Sequence, residues 1–115
     1  MNTYSYTGED FKAVICNDKW KIGILRFSER FSKTGIWERH LKTSEAFILL
    51  SGSAVLYVKS DNGQITETEM LSNVVYEVAV GEWHHIVVSE DATVLVVENA
   101  DTSKENTEKV LSDYD

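Results

Sequence analysis

The chain has 115 residues, 43% of them hydrophobic and 26% charged, a globular balance sized for one core and too short for two. A net charge of −8 leaves no basic stripe for a phosphate backbone, so nucleic acid is not an expected partner. No apolar run approaches the roughly 20 residues of a membrane helix, and Met1-Asn2-Thr3-Tyr4-Ser5-Tyr6 has neither part of a secretory signal, so a cytoplasmic protein off the membrane is expected.

Short apolar runs recur from the start of the chain, separated by polar or glycine-containing turns, the spacing of an all-β sandwich or barrel. Expected strands in chain order are Ala13–Cys16, Trp20–Phe27, Trp37–Leu41, Ala46–Leu50, Ala54–Lys59, Gln64–Leu71, Val74–Val78, His84–Ser89 and Thr93–Glu98. Cys16 is the only cysteine, so no internal disulfide forms, and it reads as a buried thiol at a strand end. Asn62-Gly63 is the clearest hairpin signal, since both residues tolerate the positive φ of a type I′ turn. Several strands are apolar on both faces: Phe47 and Leu49 oppose Ala46, Ile48 and Leu50, and Val55 and Tyr57 oppose Ala54, Leu56 and Val58. A sheet with one solvated face needs only one dry side. Other strands, the termini or a second copy must then cover the rest, which makes a homodimer possible. Residues 1–100 read as one domain and 101–115 as an acidic tail, with five acids against two lysines. Within that tail Glu105–Leu111 has at most a turn or two of helix, too short to stand alone.

Chemistry concentrates in two places. On a strand Glu38, His40 and Lys42 share a face, and Glu45 follows after a brief polar step. About forty residues later, Gly81-Glu82-Trp83-His84-His85 supplies a histidine directly after a turn. Imidazole and carboxylate donors in this mixture suit first-row divalent metals, Mn, Fe, Ni, Co or Zn. His85, next to His84, faces the other side of its strand. Trp37 and Trp83 each precede a candidate ligand and point away from it, so both read as packing residues.

These segments resemble the paired motifs of the cupin superfamily, small double-stranded β-helix (jelly-roll) barrels with a metal site inside. The first motif runs G-x5-H-x-H-x3–4-E-x6-G in outline, and Glu45-x6-Gly52 fits its end. Two registers fit its start: His40 in the first histidine place with Lys42 in the second, or Glu38 in the first with His40 in the second. The second register gives the proper four residues before Glu45 and is preferred. The second motif runs G-x5-P-x-G-x2-H-x3-N in outline; Ala79-x-Gly81-x2-His84 matches its centre, with Asn73 in the place of the leading glycine. The resemblance implies a divalent metal held by Glu38, His40, Glu45 and His84, and a small-molecule ligand beside it. Two carboxylates and two neutral imidazoles would balance such an ion. Lys42 would either pair with Glu38 or Glu45, competing with a cation, or attract an anionic ligand, and Tyr57 or Tyr76 could place a phenol in the pocket. The alternative is a metal-free polar pocket whose buried groups satisfy one another. The family includes dioxygenases, isomerases, epimerases and lyases as well as barrels that only bind, so the resemblance leaves enzyme and binding module both open.

Overall fold

Alternation with period two along the apolar runs needs an inside and an outside, and the chain supplies both by folding two sheets against each other. A computed structural model describes residues 1–111. The strands are β1 (Phe11–Cys16), β2 (Trp20–Arg26), β3 (Ile36–His40), β4 (Glu45–Ser51), β5 (Ala54–Lys59), β6 (Ile65–Glu69), β7 (Val75–Val78), β8 (Trp83–Val88), β9 (Thr93–Asn99) and β10 (Thr107–Leu111). One sheet runs β1-β2-β9-β4-β7 and the other β10-β3-β8-β5-β6, and neighbouring strands within each are antiparallel. Single 3-10 turns at Glu29–Phe31 and Lys104–Asn106 are the helical elements among the described residues.

The inward positions are the apolar ones that alternation marks. Leu25 on β2, Phe47 and Leu49 on β4, Leu56 on β5, Ile86 and Val88 on β8, and Val94 and Val96 on β9 form one buried cluster between the sheets. Their partners on the same strands face out. On the first sheet Ile24, Leu95, Ile48 and Val75 stand side by side across four strands, half-buried except for the exposed Val75.

Two glycines fix corners. Gly52 turns the chain from β4 to β5 at φ +74°, and a Cβ there would lie 2.5 Å from the Cα of Ala92, so neither the dihedral nor the space admits a side chain. The β5–β6 hairpin forms at Asn62-Gly63, but not as the type I′ turn expected. Only Gly63 takes positive φ (+84°), its N–H donating to the Ser60 carbonyl at 2.9 Å. Asn62 instead accepts the Gln64 N–H at 3.0 Å. This is a three-residue loop with glycine in the left-handed place.

The segment after residue 100 departs from expectation. Glu105–Leu111 is not helical: after the turn at Lys104–Asn106 the chain runs as β10 along the edge of β3, with Thr107 opposite His40 and Leu111 opposite Ile36. A free sheet edge offers unpaired backbone groups, whereas seven residues of helix with no packed face gain little. The Asn106 side chain pins the approach, accepting the Ser103 N–H at 2.9 Å and donating to the Asp101 carbonyl at 2.6 Å. Arg39 on β3 pairs with Glu108 on β10. The last two acids of the expected tail, Asp113 and Asp115, lie outside the described residues. Cys16 is exposed rather than buried, because β1 is the edge strand of its sheet.

Candidate metal centre

Three strands bring the polar cluster together inside the barrel. β3 contributes His40, β4 opens with Glu45, and β8 carries His84, all buried. Each sits at an inward position of its strand, in series with apolar neighbours: Phe47 and Leu49 follow Glu45, and Ile86 and Val88 follow His84. One donor atom from each of the three lies within 4.8 Å of the others. His84 Nε2 is 3.1 Å from Glu45 Oε1, and His40 Nε2 is 3.4 Å from Glu45 Oε2. The edge of Phe47 packs on the His84 ring at 5.8 Å between centroids, which fixes its plane.

The far nitrogens of both imidazoles are also engaged. His40 Nδ1 is 2.9 Å from the Thr107 hydroxyl, and His84 Nδ1 is 3.4 Å from the Glu82 carbonyl. A carbonyl and a carboxylate both only accept, so His84 donates to Glu82 or to Glu45 according to its tautomer, and the Nδ1–H form is the one that would leave Nε2 free for an ion. This is how metal-ligating histidines are commonly oriented. The Thr107 hydroxyl, which can donate or accept, anchors the far nitrogen of His40, and it belongs to β10, in the segment expected to be a tail.

A second carboxyl group, Glu98 at the end of β9, sits behind Glu45. It is buried, hydrogen-bonds to Glu45, and lies 3.6 Å from Lys21 Nζ, which also donates to the Thr102 carbonyl at 2.8 Å. Two carboxyl groups can share a hydrogen bond only if one holds a proton. Burial, reinforced by Glu45, pushes Glu98 up to about 8. Burial opposes the charge on Glu45 too, but hydrogen bonds from His40, His84 and Glu98 hold its carboxyl far below the usual range. Burial also opposes the His40 imidazolium, yet the Glu45 carboxylate, with Glu38 and Glu98 behind it, raises that group above its ordinary value. The charge therefore rests on Glu45 and the proton on Glu98.

The four expected ligands do not all meet. His40, Glu45 and His84 form the cluster, and its second carboxyl neighbour is Glu98. Glu38 lies opposite His84 in the β3–β8 register and lines the same cavity, but stands outside the three-residue group. The residues expected to contact a ligand are elsewhere. Lys42 is exposed, because the chain bends after His40 and breaks the alternation that would have turned it inward. The Tyr57 ring stacks on His85 at 4.7 Å on the outer side of the second sheet. The Tyr76 hydroxyl accepts the Leu71 N–H at 2.8 Å, a packing role. None of the three lines the cavity.

Sequence reasoning missed Glu98 and Lys21, although a signal for Glu98 was present: it follows Val94 and Val96 at the next inward place of β9. Ala79 and Asn73 show what the altered second motif does. The Ala79 N–H donates to Glu82 Oε1 at 2.7 Å, a bond that proline could not make, and Asn73 takes φ +67°, a conformation that favours the glycine it replaces.

Above the cluster a cavity of about 290 Å³ opens between the sheets toward the 3-10 turn at Glu29–Phe31 and the start of β3. Its walls are largely apolar, including Phe11, Leu25, Phe31, Phe47, Ile86 and Val96, and charged side chains, among them Lys33 and Lys109, stand near its mouth.

No family model matches the sequence, and no curated protein matches it. Solved structures do. Bacillus subtilis oxalate decarboxylase, as an R92A mutant, superposes with a TM-score of 0.69 at 16% identity over 90% of this chain and 29% of its own. The same enzyme, characterised for its Mn(II) centres, gives 0.63 at 17% identity over 88% of this chain and 28% of its own. A cupin-2 domain containing protein of Shewanella frigidimarina gives 0.62 at 13% identity, over 82% of this chain and 84% of its own. The chain thus spans under a third of the oxalate decarboxylase chains but most of the single-domain protein. With β3, β4 and β8 carrying the polar cluster inside two packed five-stranded sheets, this chain has the cupin fold.

Proposed function

We propose that this protein binds a divalent transition metal through His40, Glu45 and His84, and with it a small organic ligand in the cavity above. The observation that carries the reading is the donor set itself: two imidazoles and one carboxylate, converging from three strands, with both histidines oriented from behind. An ion holding each donor at roughly 2.1 Å needs them within roughly 4.2 Å of one another. A cluster already within 4.8 Å reaches that by small side-chain movements. Two histidines and one carboxylate with open positions suit Fe(II), Mn(II) or Zn(II) among the first-row metals. Protonated Glu98 leaves the negative charge on Glu45, and Glu38, which lines the same cavity, is a further carboxylate beside the site.

When bound, such an ion supplies Lewis-acid polarisation of a ligand oxygen. The chain's own residues do the rest. Phe47 holds the His84 plane, the Thr107 hydroxyl and the Glu82 carbonyl hold the far nitrogens of the two imidazoles, and Glu98 holds a proton against Glu45. The apolar walls keep water off the ligand.

One observation favours a metal-free pocket: Glu45 already receives both imidazoles, one on each oxygen, so the cluster is satisfied without a cation. Titration calorimetry with Mn²⁺ on the untagged chain and on His84→Ala separates the readings. The proposal expects one ion per chain and none in the variant. Equal, weak binding to both leaves the self-satisfied pocket as the better reading.

A further inference from the structure

The lining of the cavity is divided along its depth, and the division specifies a ligand. At the floor are His40, Glu45 and His84, with Glu98 behind them; between floor and mouth the walls are mainly aromatic and aliphatic. Among the described residues the cations that line the cavity, Arg30, Lys33 and Lys109, belong to the Glu29–Phe31 turn, the loop after it and β10, not to the floor. Arg30, which does line the cavity, is already held by Asp10 through Nε and an Nη, at 2.8 and 2.9 Å, and lies over the Phe31 ring.

We propose that the ligand is amphiphilic: one oxygen-donor head group, of the carboxylate class, seated at the His40–Glu45–His84 floor, and an apolar body lying against Phe11, Leu25, Phe31, Phe47 and Ile86. This rests on the functional reading above and narrows it. A small dianion such as oxalate meets the floor but leaves the walls without a partner. A monocarboxylate with a hydrocarbon body removes its own apolar surface and that of the cavity from water together. At about 290 Å³ the cavity stands near the lower end of small-molecule sites, so the body is short.

The test is calorimetric titration of the full chain, with Mn²⁺ present, by acetate, butanoate, hexanoate and octanoate, beside oxalate. Affinity is expected to rise about fourfold per added methylene until the cavity is filled, and then to level. Phe31→Ala, which opens one wall, is expected to lower hexanoate affinity severalfold and more than it lowers acetate affinity, flattening the chain-length dependence. Affinity flat from acetate to octanoate, oxalate binding tighter than every monocarboxylate, or no binding by any acid overturns the proposal. The metal reading fails separately, through absence of bound Mn²⁺ in the same samples, and a chain-length dependence that survives without Mn²⁺ would leave the amphiphilic ligand standing alone.

Discussion

His84 and His85 are neighbours on β8, both lose most of their exposure to water, and they meet opposite surroundings. His84 turns into the barrel, where Glu45 lies at 3.1 Å and the Glu82 carbonyl at 3.4 Å. His85 turns to the outer side of the sheet, between the rings of Trp37 at 4.6 Å and Tyr57 at 4.7 Å. There its Nε2, like Nε1 of Trp37, has no hydrogen-bond partner among the described residues. The inner region gathers charge and places a polar partner at each imidazole nitrogen. The outer one buries aromatic surface and tolerates orphaned nitrogens. Burial of a polar side chain is therefore not by itself a sign of function. What distinguishes the inner cluster is that its partners converge on one point.

The two regions respond differently to substitution. The largest effect is expected inside: Glu45→Ala removes the carboxylate shared by both histidines and should abolish stoichiometric Mn²⁺ binding, read by elemental analysis after dialysis. Outside, Trp37→Ala leaves a cavity where the side chain is 1% exposed, and should destabilise the chain by about 3–5 kcal/mol in urea while its metal stoichiometry stays unchanged. A metal loss in Trp37→Ala under folding conditions would break the separation between the faces.

Thr107→Val is subtler. It keeps the β10 strand and its shape but removes the hydroxyl 2.9 Å from His40 Nδ1, and should weaken metal affinity by about 10–100-fold with little change in stability. Unchanged affinity would reduce β10 to an edge cover.

The smallest expected effects are opposite slopes of stability with pH, measured without metal. Burial and the neighbouring His84 depress His85 to about 4 from an ordinary 6.5. The unfolded chain takes up that proton more readily, so His85 contributes fully above about 6.5 and loses stability as the pH falls toward 4. Glu98 is raised from 4.5 to about 8, so the folded chain keeps a proton the unfolded one releases; its contribution is complete below about 4.5 and is lost as the pH rises toward 8. His85→Phe, which keeps the stack, should flatten the acid side of the urea-midpoint profile. Glu98→Gln should flatten the alkaline side. One variant flattening both limbs would show that the two faces titrate as a unit.

The fold was legible because period-two alternation and turn residues are local signals: Phe47 and Leu49 against Ile48 and Leu50, Gly52 at the corner, His84 inward and His85 outward. Glu45, His40 and His84 were legible through motif spacing. Glu98 was not singled out, because nothing in its neighbourhood marks it except parity with Val94 and Val96. Lys42 was misassigned because alternation was carried two residues past the end of β3, where the chain bends. β10 was missed for a different reason. Thr107–Leu111 has little apolar character of its own and becomes a strand only because β3 offers an open edge, and pairing across 67 residues is invisible to local periodicity.

The central claim is that His40, Glu45 and His84 converge on a single ion. Anomalous diffraction from crystals soaked in Mn²⁺, collected beside His84→Ala crystals treated alike, tests it most directly. The account predicts one peak per chain, bonded to Nε2 of both histidines and to the Glu45 carboxylate, and absent from the variant. No peak at saturating Mn²⁺, with Glu45 still hydrogen-bonded to both imidazoles, would contradict it.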